Sequence, residues 1–459
     1  MVTFAYRFSS LIIIVFLLTI SVFSQSNPQV EAQGLTAKIN WRVHSNPTNG
    51  IDAAYSVCET KEYIYVVGHQ RGTARVEMRF KSNGSLVKDW NSTDFRSLVD
   101  CVFGNNRLYV VTDDRKILMF DLSLNLLNFK HSNLSVSLNS IAFYDNNLYL
   151  AGRERVKDDD RWRVEKYRAE NLTLIKEYTA NPTPIYYDEA FIASMNPVTK
   201  QLWVVGVQNS DLRVEVFDLD LNLVNIISRN YGYGTFAIDF DEDGYAYISS
   251  NHYIIKYDKY GDEVTSKAMP NWVYKLLYSN GYLYVGTVEW VTTLIGGYNR
   301  QILYIFDKNL NQIERIILGR SIRGHAWFDM GKMAFDGKNL YVAGSNEVRV
   351  NQNQTWDTEW NIYSITFVPK EQTTNSIMWI FTGSAIITII VVSTYIFIRR
   401  RKAPLRPTIP PPSTPPIPLA TPFSISPTAP ILYCPRCRSA VYLGDIYCGK
   451  CGKKLKLTK

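Results

Sequence analysis

A sevenfold repeat constrains this chain more than any other feature of its 459 residues. In each copy an aromatic residue lies among apolar residues, and a Gly, Thr or Ser follows three positions later. The aromatic positions are Tyr65, Tyr109, Tyr149, Trp203, Tyr247, Tyr284 and Tyr341. Successive copies are 37 to 57 residues apart. Four short strands in a unit of about this length are typical of a β-propeller blade.

The seventh repeat lacks a fourth strand of its own. Each of the first six copies is followed by a third strand and a hairpin, whereas the chain after residues 361–367 runs directly into an apolar segment. The segment from Thr36 to His44 is predicted to supply the missing strand and to close the ring, because closure removes an exposed sheet edge. The sequence therefore predicts an all-β, seven-bladed propeller over residues 35–369, with its seven repeat aromatics in the core.

The repeat also resembles known proteins. Residues 108–125, LYVVTDDRKILMFDLSLN, are similar to repeats of YVTN-type and related NHL- or PQQ-like propeller proteins, which are frequent on archaeal cell surfaces. The sequence departs from those families in longer insertions at residues 153–161 and 289–300. The resemblance implies the fold and hardly anything about function, and it does not name a ligand.

Two apolar runs flank the repeat. Residues 11–23 span about 20 Å as a helix, too short for a ~30 Å bilayer core, so residues 1–25 are predicted to form a signal peptide. An uncleaved anchor is the alternative at this position.

Residues 376–398 contain no charge and are long enough to span a membrane. Four cations follow at 399–402, which predicts a cytoplasmic C-terminus, contact with the lipid bilayer and a single-pass protein of the cell membrane.

The charge is concentrated in the C-terminal tail. The chain carries a net charge of +8, yet residues 399–459 hold twelve Lys or Arg against one acid. The body before the tail is therefore faintly acidic, which argues against a nucleic-acid-binding propeller. Residues 399–432 are first basic and then Pro-rich, and we interpret them as an extended cytoplasmic linker.

The tail also contains four cysteines in two Cys-x-x-Cys pairs, with ten residues between the pairs. The cysteines are Cys434, Cys437, Cys448 and Cys451. Four thiolates in this spacing suit a closed, tetrahedral Zn²⁺ site that stabilises a small domain and does not catalyse. Residues 433–455 resemble the zinc-ribbon family. The predicted role of the ribbon is to dock a cytoplasmic protein; redox cysteines and nucleic-acid binding by the ribbon are the less favoured alternatives.

Several further sites are predicted in the outer domain. Cys58 and Cys101 lie shortly before two neighbouring repeat aromatics, and we favour a disulfide between them over two buried free thiols. Five Asn-x-Ser/Thr sequons predict N-glycosylation. Their asparagines are Asn83, Asn91, Asn133, Asn171 and Asn353.

A short acidic motif resembles the start of a calcium loop. It consists of Asp239, Asp241 and Asp243 followed by Gly244, but Ser250 stands where the final Glu is expected. The same place in every repeat is a polar turn, so we favour turn chemistry over Ca²⁺ binding.

These features favour a surface protein that binds or scaffolds, with the propeller engaging an extracytoplasmic protein or glycan. The alternative is an extracytoplasmic enzyme that uses the central channel, similar to a quinoprotein or a lyase. A signalling receptor is a third interpretation. The sequence contains no P-loop, no Gly-x-Ser-x-Gly and no dinucleotide fingerprint, and we therefore favour a protein without catalytic activity.

Overall fold

A computed structural model of the chain describes residues 35–48, 50–181, 183, 187–232, 237–293, 296–321, 332–349, 356–369, 432–433 and 440–441. The predicted signal peptide, apolar span and linker, and the four cysteines of the tail, lie outside these residues. In the part that is described, no helix is both long and apolar enough to cross a bilayer. The chain divides into two compact units, Met1–Thr373 and Thr374–Lys459.

In the first unit the described strands form seven antiparallel four-stranded sheets. Blades 1 to 3 consist of β2 (Asp52–Glu59), β3 (Tyr63–Gln70), β4 (Thr73–Phe80) and β5 (Leu86–Ser92); β6 (Leu98–Gly104), β7 (Arg107–Thr112), β8 (Lys116–Phe120) and β9 (Leu126–His131); and β10 (Ser137–Tyr144), β11 (Asn147–Val156), β12 (Asp159–Arg168) and β13 (Thr173–Ala180).

Blades 4 to 6 follow the same order along the chain. They consist of β14 (Asp188–Met195), β15 (Leu202–Gln208), β16 (Asp211–Phe217) and β17 (Leu223–Arg229); β18 (Ile238–Phe240), β19 (Ala246–Ser250), β20 (Tyr253–Tyr257) and β21 (Glu263–Ala268); and β22 (Val273–Ser279), β23 (Tyr282–Thr293), β24 (Gly296–Asp307) and β25 (Gln312–Ser321).

The seventh blade joins the two ends of the repeat. It is formed by β26 (Met333–Phe335), β27 (Asn339–Arg349), β28 (Trp356–Pro369) and, as its outer strand, β1 (Leu35–Ser45). Strand β1 is antiparallel to β28, with Leu35 opposite Pro369 and Ser45 opposite Trp360. The predicted closing strand is therefore confirmed, and closure covers an edge of β28 that would otherwise expose unpaired backbone groups.

The repeat aromatics form the core between blades, as predicted. All seven are at most 1% exposed. In three blades the tyrosine hydroxyl also crosses to the next blade and donates to a backbone carbonyl in its outer hairpin. These pairs are Tyr65 to Leu122 (2.7 Å), Tyr149 to Leu219 (3.0 Å) and Tyr247 to Lys308 (3.0 Å). The aromatic ring thus supplies buried apolar surface while its hydroxyl fixes the neighbouring sheet.

The glycine of the repeat is explained by a bulge in the innermost strand. The register of that strand shifts by one residue in blades 1, 2, 3, 4 and 6. A Cβ added to Gly68, Gly152 or Gly206 would lie 1.9–2.1 Å from a backbone oxygen of the bulged strand. Glycine is therefore required where the bulge brings the two backbones together.

Candidate functional site

The innermost strands of the blades surround a central cavity of about 100 Å³. Tyr55, Val99 and Asn139 line it, and each lies at the register shift of its strand. The other lining residues are Asp100, Ser140, Ile192, Ala193, Ser194, Ala237, Ile238, Lys275, Leu276 and Lys332. All seven sheets or the segments entering them contribute to this wall, and the bulges aim side chains into the channel.

Asp100 is the most highly connected group of the channel wall. Its Oδ1 accepts hydrogen bonds from the Ser56 hydroxyl (3.0 Å) and the Cys101 amide (2.9 Å). Its Oδ2 accepts from the Ser140 hydroxyl (3.0 Å) and the Ile141 amide (3.1 Å). Because these donors belong to blades 1, 2 and 3, one buried carboxylate joins three sheets.

Among the described residues that line the cavity, the other charged groups are two lysines. The Lys332 ammonium lies 3.2 Å from Asp100 Oδ1, and the Lys332 amide donates to the Tyr55 carbonyl at 2.9 Å. Lys275 enters from blade 6. Asp100 is buried, and its four accepted hydrogen bonds compensate its charge together with the partly exposed Lys332 ammonium.

Asp239 lies beside the channel, next to the lining residue Ile238. Its carboxylate accepts from the amides of Tyr278 (2.7 Å) and Phe240 (2.9 Å). Burial raises the pKa of Asp239 to about 6, and these two hydrogen bonds and the charge of Lys332 oppose that rise. A carboxyl group with such a pKa can exchange a proton near neutral pH.

The aspartates of the calcium-like motif have separate surroundings. Asp241 is buried in the β18–β19 hairpin, and its Oδ1 accepts from the amides of Asp243 (3.1 Å) and Tyr245 (2.8 Å). Asp239 instead points to the boundary between blades 5 and 6. Over the described ranges, no group of three or more His, Cys, Asp or Glu side chains is placed to hold a metal ion. The motif forms a hairpin turn here.

The structure joins Cys58 and Cys101 as a disulfide between the innermost strands of blades 1 and 2, with their Cα atoms 6.3 Å apart. Both residues are buried. The oxidation state of this pair in cells stays a prediction, which alkylation with and without prior reduction checks by mass spectrometry.

The other predicted modification and metal sites stay predictions. Four sequon asparagines are exposed, namely Asn83, Asn91, Asn133 and Asn171. Asn353 and the four cysteines of the tail lie outside the described residues. In the second unit, two short strands, β29 (Leu432–Tyr433) and β30 (Ala440–Val441), pair antiparallel. In sequence they flank the first of the two predicted zinc-binding pairs.

An Arg-Val-Glu tripeptide recurs in the chain, and the predictions made from the sequence did not include it. It occupies the third strand of blades 1, 3 and 4, at residues 75–77, 163–165 and 213–215. The glutamates are fully buried, and each accepts from the arginine two residues earlier. In two cases the guanidinium also lies over a tryptophan of the preceding blade, Arg75 over Trp360 and Arg213 over Trp162. Because the tripeptide recurs at the same position of the repeat, the sequence alone could have indicated a buried Arg–Glu pair there.

Three clefts between blades are larger than the channel. The cleft between blades 1 and 2 holds about 440 Å³ and is lined by residues 60–63, 65, 103–106 and 122. The cleft between blades 2 and 3 holds about 560 Å³ and is lined by residues 96, 113–115, 135–136, 155 and 157. The third, called here the 4–5 cleft, holds about 310 Å³ and is lined by Thr199, Gln201, Trp203, Val216, Val224, Asn225, Lys259 and Tyr260.

Comparison with solved structures agrees with the architecture. The chain is similar to a streptogramin B lyase, with a TM-score of 0.51 at 11% identity, over 74% of this chain and 100% of that one. The Pan2 WD40 domain of Neurospora crassa gives a TM-score of 0.49 at 10% identity, over 73% and 96% of the two chains. No family model and no curated protein matches the sequence. The seven four-stranded sheets of the described residues make the chain a seven-bladed β-propeller protein. The likeness to the lyase, at 11% identity, concerns the fold alone.

Proposed function

We propose that this protein is a single-pass, membrane-anchored propeller that binds or scaffolds at the cell surface. Residues 376–398 would anchor it, with the ring outside and the zinc ribbon of residues 433–455 docking a partner in the cytoplasm. The observation that carries the proposal is the contrast between the channel and the interblade clefts. The channel cavity holds about 100 Å³, whereas the three clefts hold about 310 to 560 Å³.

The contents of the channel support this choice. Sites for small organic ligands usually measure about 300–1,000 Å³, well above the volume of this cavity. Its described lining contains one carboxylate, Asp100, and neither a histidine nor an arginine. Both oxygens of that carboxylate are already occupied by donors from the wall. Asp100 therefore acts as a structural group and not as a base.

The alternative, an enzyme that uses the channel, is supported by Asp239. Its pKa of about 6 is the kind of perturbation found at catalytic sites. However, the Asp239 carboxylate also accepts hydrogen bonds from two backbone amides, and a purely structural role explains its position equally well. We therefore rank catalysis second.

Site-specific photo-crosslinking separates the two functions. A crosslinking residue is placed in the full chain, in native membranes, at Lys61, Lys157 or Lys259, one in each cleft, and at Ser194 in the channel. We expect adducts with a protein or glycan from at least one cleft position and none from Ser194. Adducts from the channel position alone would overturn the proposal and favour the enzyme.

A further inference from the structure

Within the described residues Trp203 makes no side-chain hydrogen bond, whereas four of the six repeat tyrosines donate from their hydroxyl groups. The side chain is completely buried, and its Nε1 has no hydrogen-bond partner among the residues that the structure describes. The other two fully buried tryptophans both donate to a carbonyl of the next blade, Trp162 to Val207 at 2.7 Å and Trp360 to His69 at 3.2 Å. Buried polar groups without partners are rare in native proteins, so the indole N–H of Trp203 needs an explanation.

This indole forms part of the wall of the 4–5 cleft. A second lining group, the Thr199 hydroxyl oxygen, is likewise buried and lacks a partner within the described part of the chain. Tyr260 lies in the hairpin that blade 5 contributes and is 71% exposed. The Asn225 amide donates to the Tyr260 carbonyl at 3.0 Å, which holds that hairpin against blade 4. The cleft therefore combines an aromatic surface with two unsatisfied polar groups.

The corresponding cleft between blades 1 and 2 differs from the 4–5 cleft in the hydrogen bonding of its repeat aromatic. There the repeat aromatic is Tyr65, and its hydroxyl already donates to Leu122 in the hairpin of the next blade. In the 4–5 cleft the residue equivalent to Leu122 is Lys259, the second residue of its hairpin. Trp203 stands at the position of the repeat tyrosine, and its indole N–H does not make the hydrogen bond to the next hairpin that the tyrosine hydroxyl makes in blades 1, 3 and 5.

We propose that the 4–5 cleft binds one uronic-acid ring of a surface glycan; this rests on the proposed binding function and names its ligand. The exposed ring of Tyr260 offers a flat surface for the apolar face of a pyranose. The half-buried amide of Gln201 offers a hydrogen bond to a sugar oxygen directly. The indole N–H of Trp203 and the hydroxyl of Thr199 are buried, and they reach the sugar through a shift of the cleft wall on binding. Lys259 is exposed, and no acidic residue is among the described residues that line the cleft, so the charge of Lys259 complements a carboxylate. About 310 Å³ is within the range for small-ligand sites.

The test is a titration of the full chain in detergent micelles with methyl glucuronide, followed by calorimetry and by the ¹⁵N-indole signals of the tryptophans. The Trp203 signal is assigned by its absence from the Trp203→Tyr variant. We expect this signal to shift on titration, because the indole N–H gains an acceptor. We expect Tyr260→Ala and Trp203→Tyr each to weaken binding about tenfold, the equivalent of one contact of roughly 1.4 kcal/mol. In Trp203→Tyr the new hydroxyl would bond the hairpin carbonyl, as Tyr65 does.

The controls are a neutral sugar and a distant aromatic. Methyl glucoside is expected to bind more weakly than the glucuronide. Trp290 is 53% exposed and lies outside the cleft, so Trp290→Ala is expected to leave the affinity unchanged. A Trp203 signal that moves with neither sugar, or equal affinity in Tyr260→Ala, would overturn the inference. A shift caused only by an acidic peptide would overturn it in favour of a peptide site. Crosslinks from the other two clefts would still support the proposed function in each of these cases.

Discussion

Replacing Asp100 with Asn is expected to destabilise the propeller by about 3 kcal/mol or more. The carboxylate accepts hydrogen bonds from four uncharged donors in three blades and is also paired with Lys332. An asparagine amide would turn two donor hydrogens toward groups that also donate, so several buried donors would lose their acceptor. Chemical denaturation of the full chain, followed by circular dichroism, measures the change.

The matched control is Lys332→Met. The Lys332 side chain is 45% exposed, so loss of its ion pair is expected to cost about 1 kcal/mol or less. If both substitutions destabilise the protein equally, the ion pair and not the hydrogen-bond network holds the channel wall, and the account of Asp100 is wrong.

Replacing Glu77 with Ala is expected to cost about 3–5 kcal/mol. The Glu77 carboxylate is fully buried and accepts from Arg75 (3.1 Å) and Arg79 (2.8 Å), whose guanidinium groups are themselves largely buried. It also accepts from the hydroxyl of Ser45, a residue of the closing strand β1. The substitution therefore removes the carboxylate that is paired with Arg79 and one of the two carboxylates that bind Arg75. It also removes a contact that holds the ring closed.

Asp89→Ala provides the control for Glu77, because Asp89 binds the same Arg75 at 2.9 Å but is 38% exposed. Its loss is expected to cost less than about 1 kcal/mol. Thermal unfolding of the two variants compares them. Equal losses would show that burial of the Glu77 pair does not govern its contribution.

The architecture was predictable because its signals are local and repeated. Seven recurring aromatics, 37 to 57 residues apart, indicated seven sheets, and the missing last strand pointed to the segment that closes the ring. These inferences succeed because each blade buries the same face of the same strand against its neighbour. Tyr65 and Trp203 occupy equivalent, fully buried positions although nearly 140 residues separate them.

The channel and the clefts were not predictable in the same way. Asp100 follows a valine in an apolar strand, and only the bulge at that point brings the carboxylate toward donors from two other sheets. A shift of one residue reverses the direction of a side chain, and sequence alternation does not locate such a shift. The 4–5 cleft is distinguished by the indole N–H of Trp203, which has no hydrogen-bond partner among the described residues. The sequence does not show whether a buried side chain finds such a partner. The Arg-Val-Glu tripeptides, by contrast, were visible in the sequence and could have been found.

Lysine labelling tests most directly whether the ring is displayed outside the cell with the cysteine tail inside. Intact cells are treated with a membrane-impermeant amine reagent, and labelled peptides are identified with and without prior lysis. We expect exposed propeller lysines such as Lys259 to be labelled on intact cells, whereas Lys453, Lys454 and Lys459 are labelled only after lysis. Labelling of the tail lysines on intact cells, with the propeller protected, would contradict this topology.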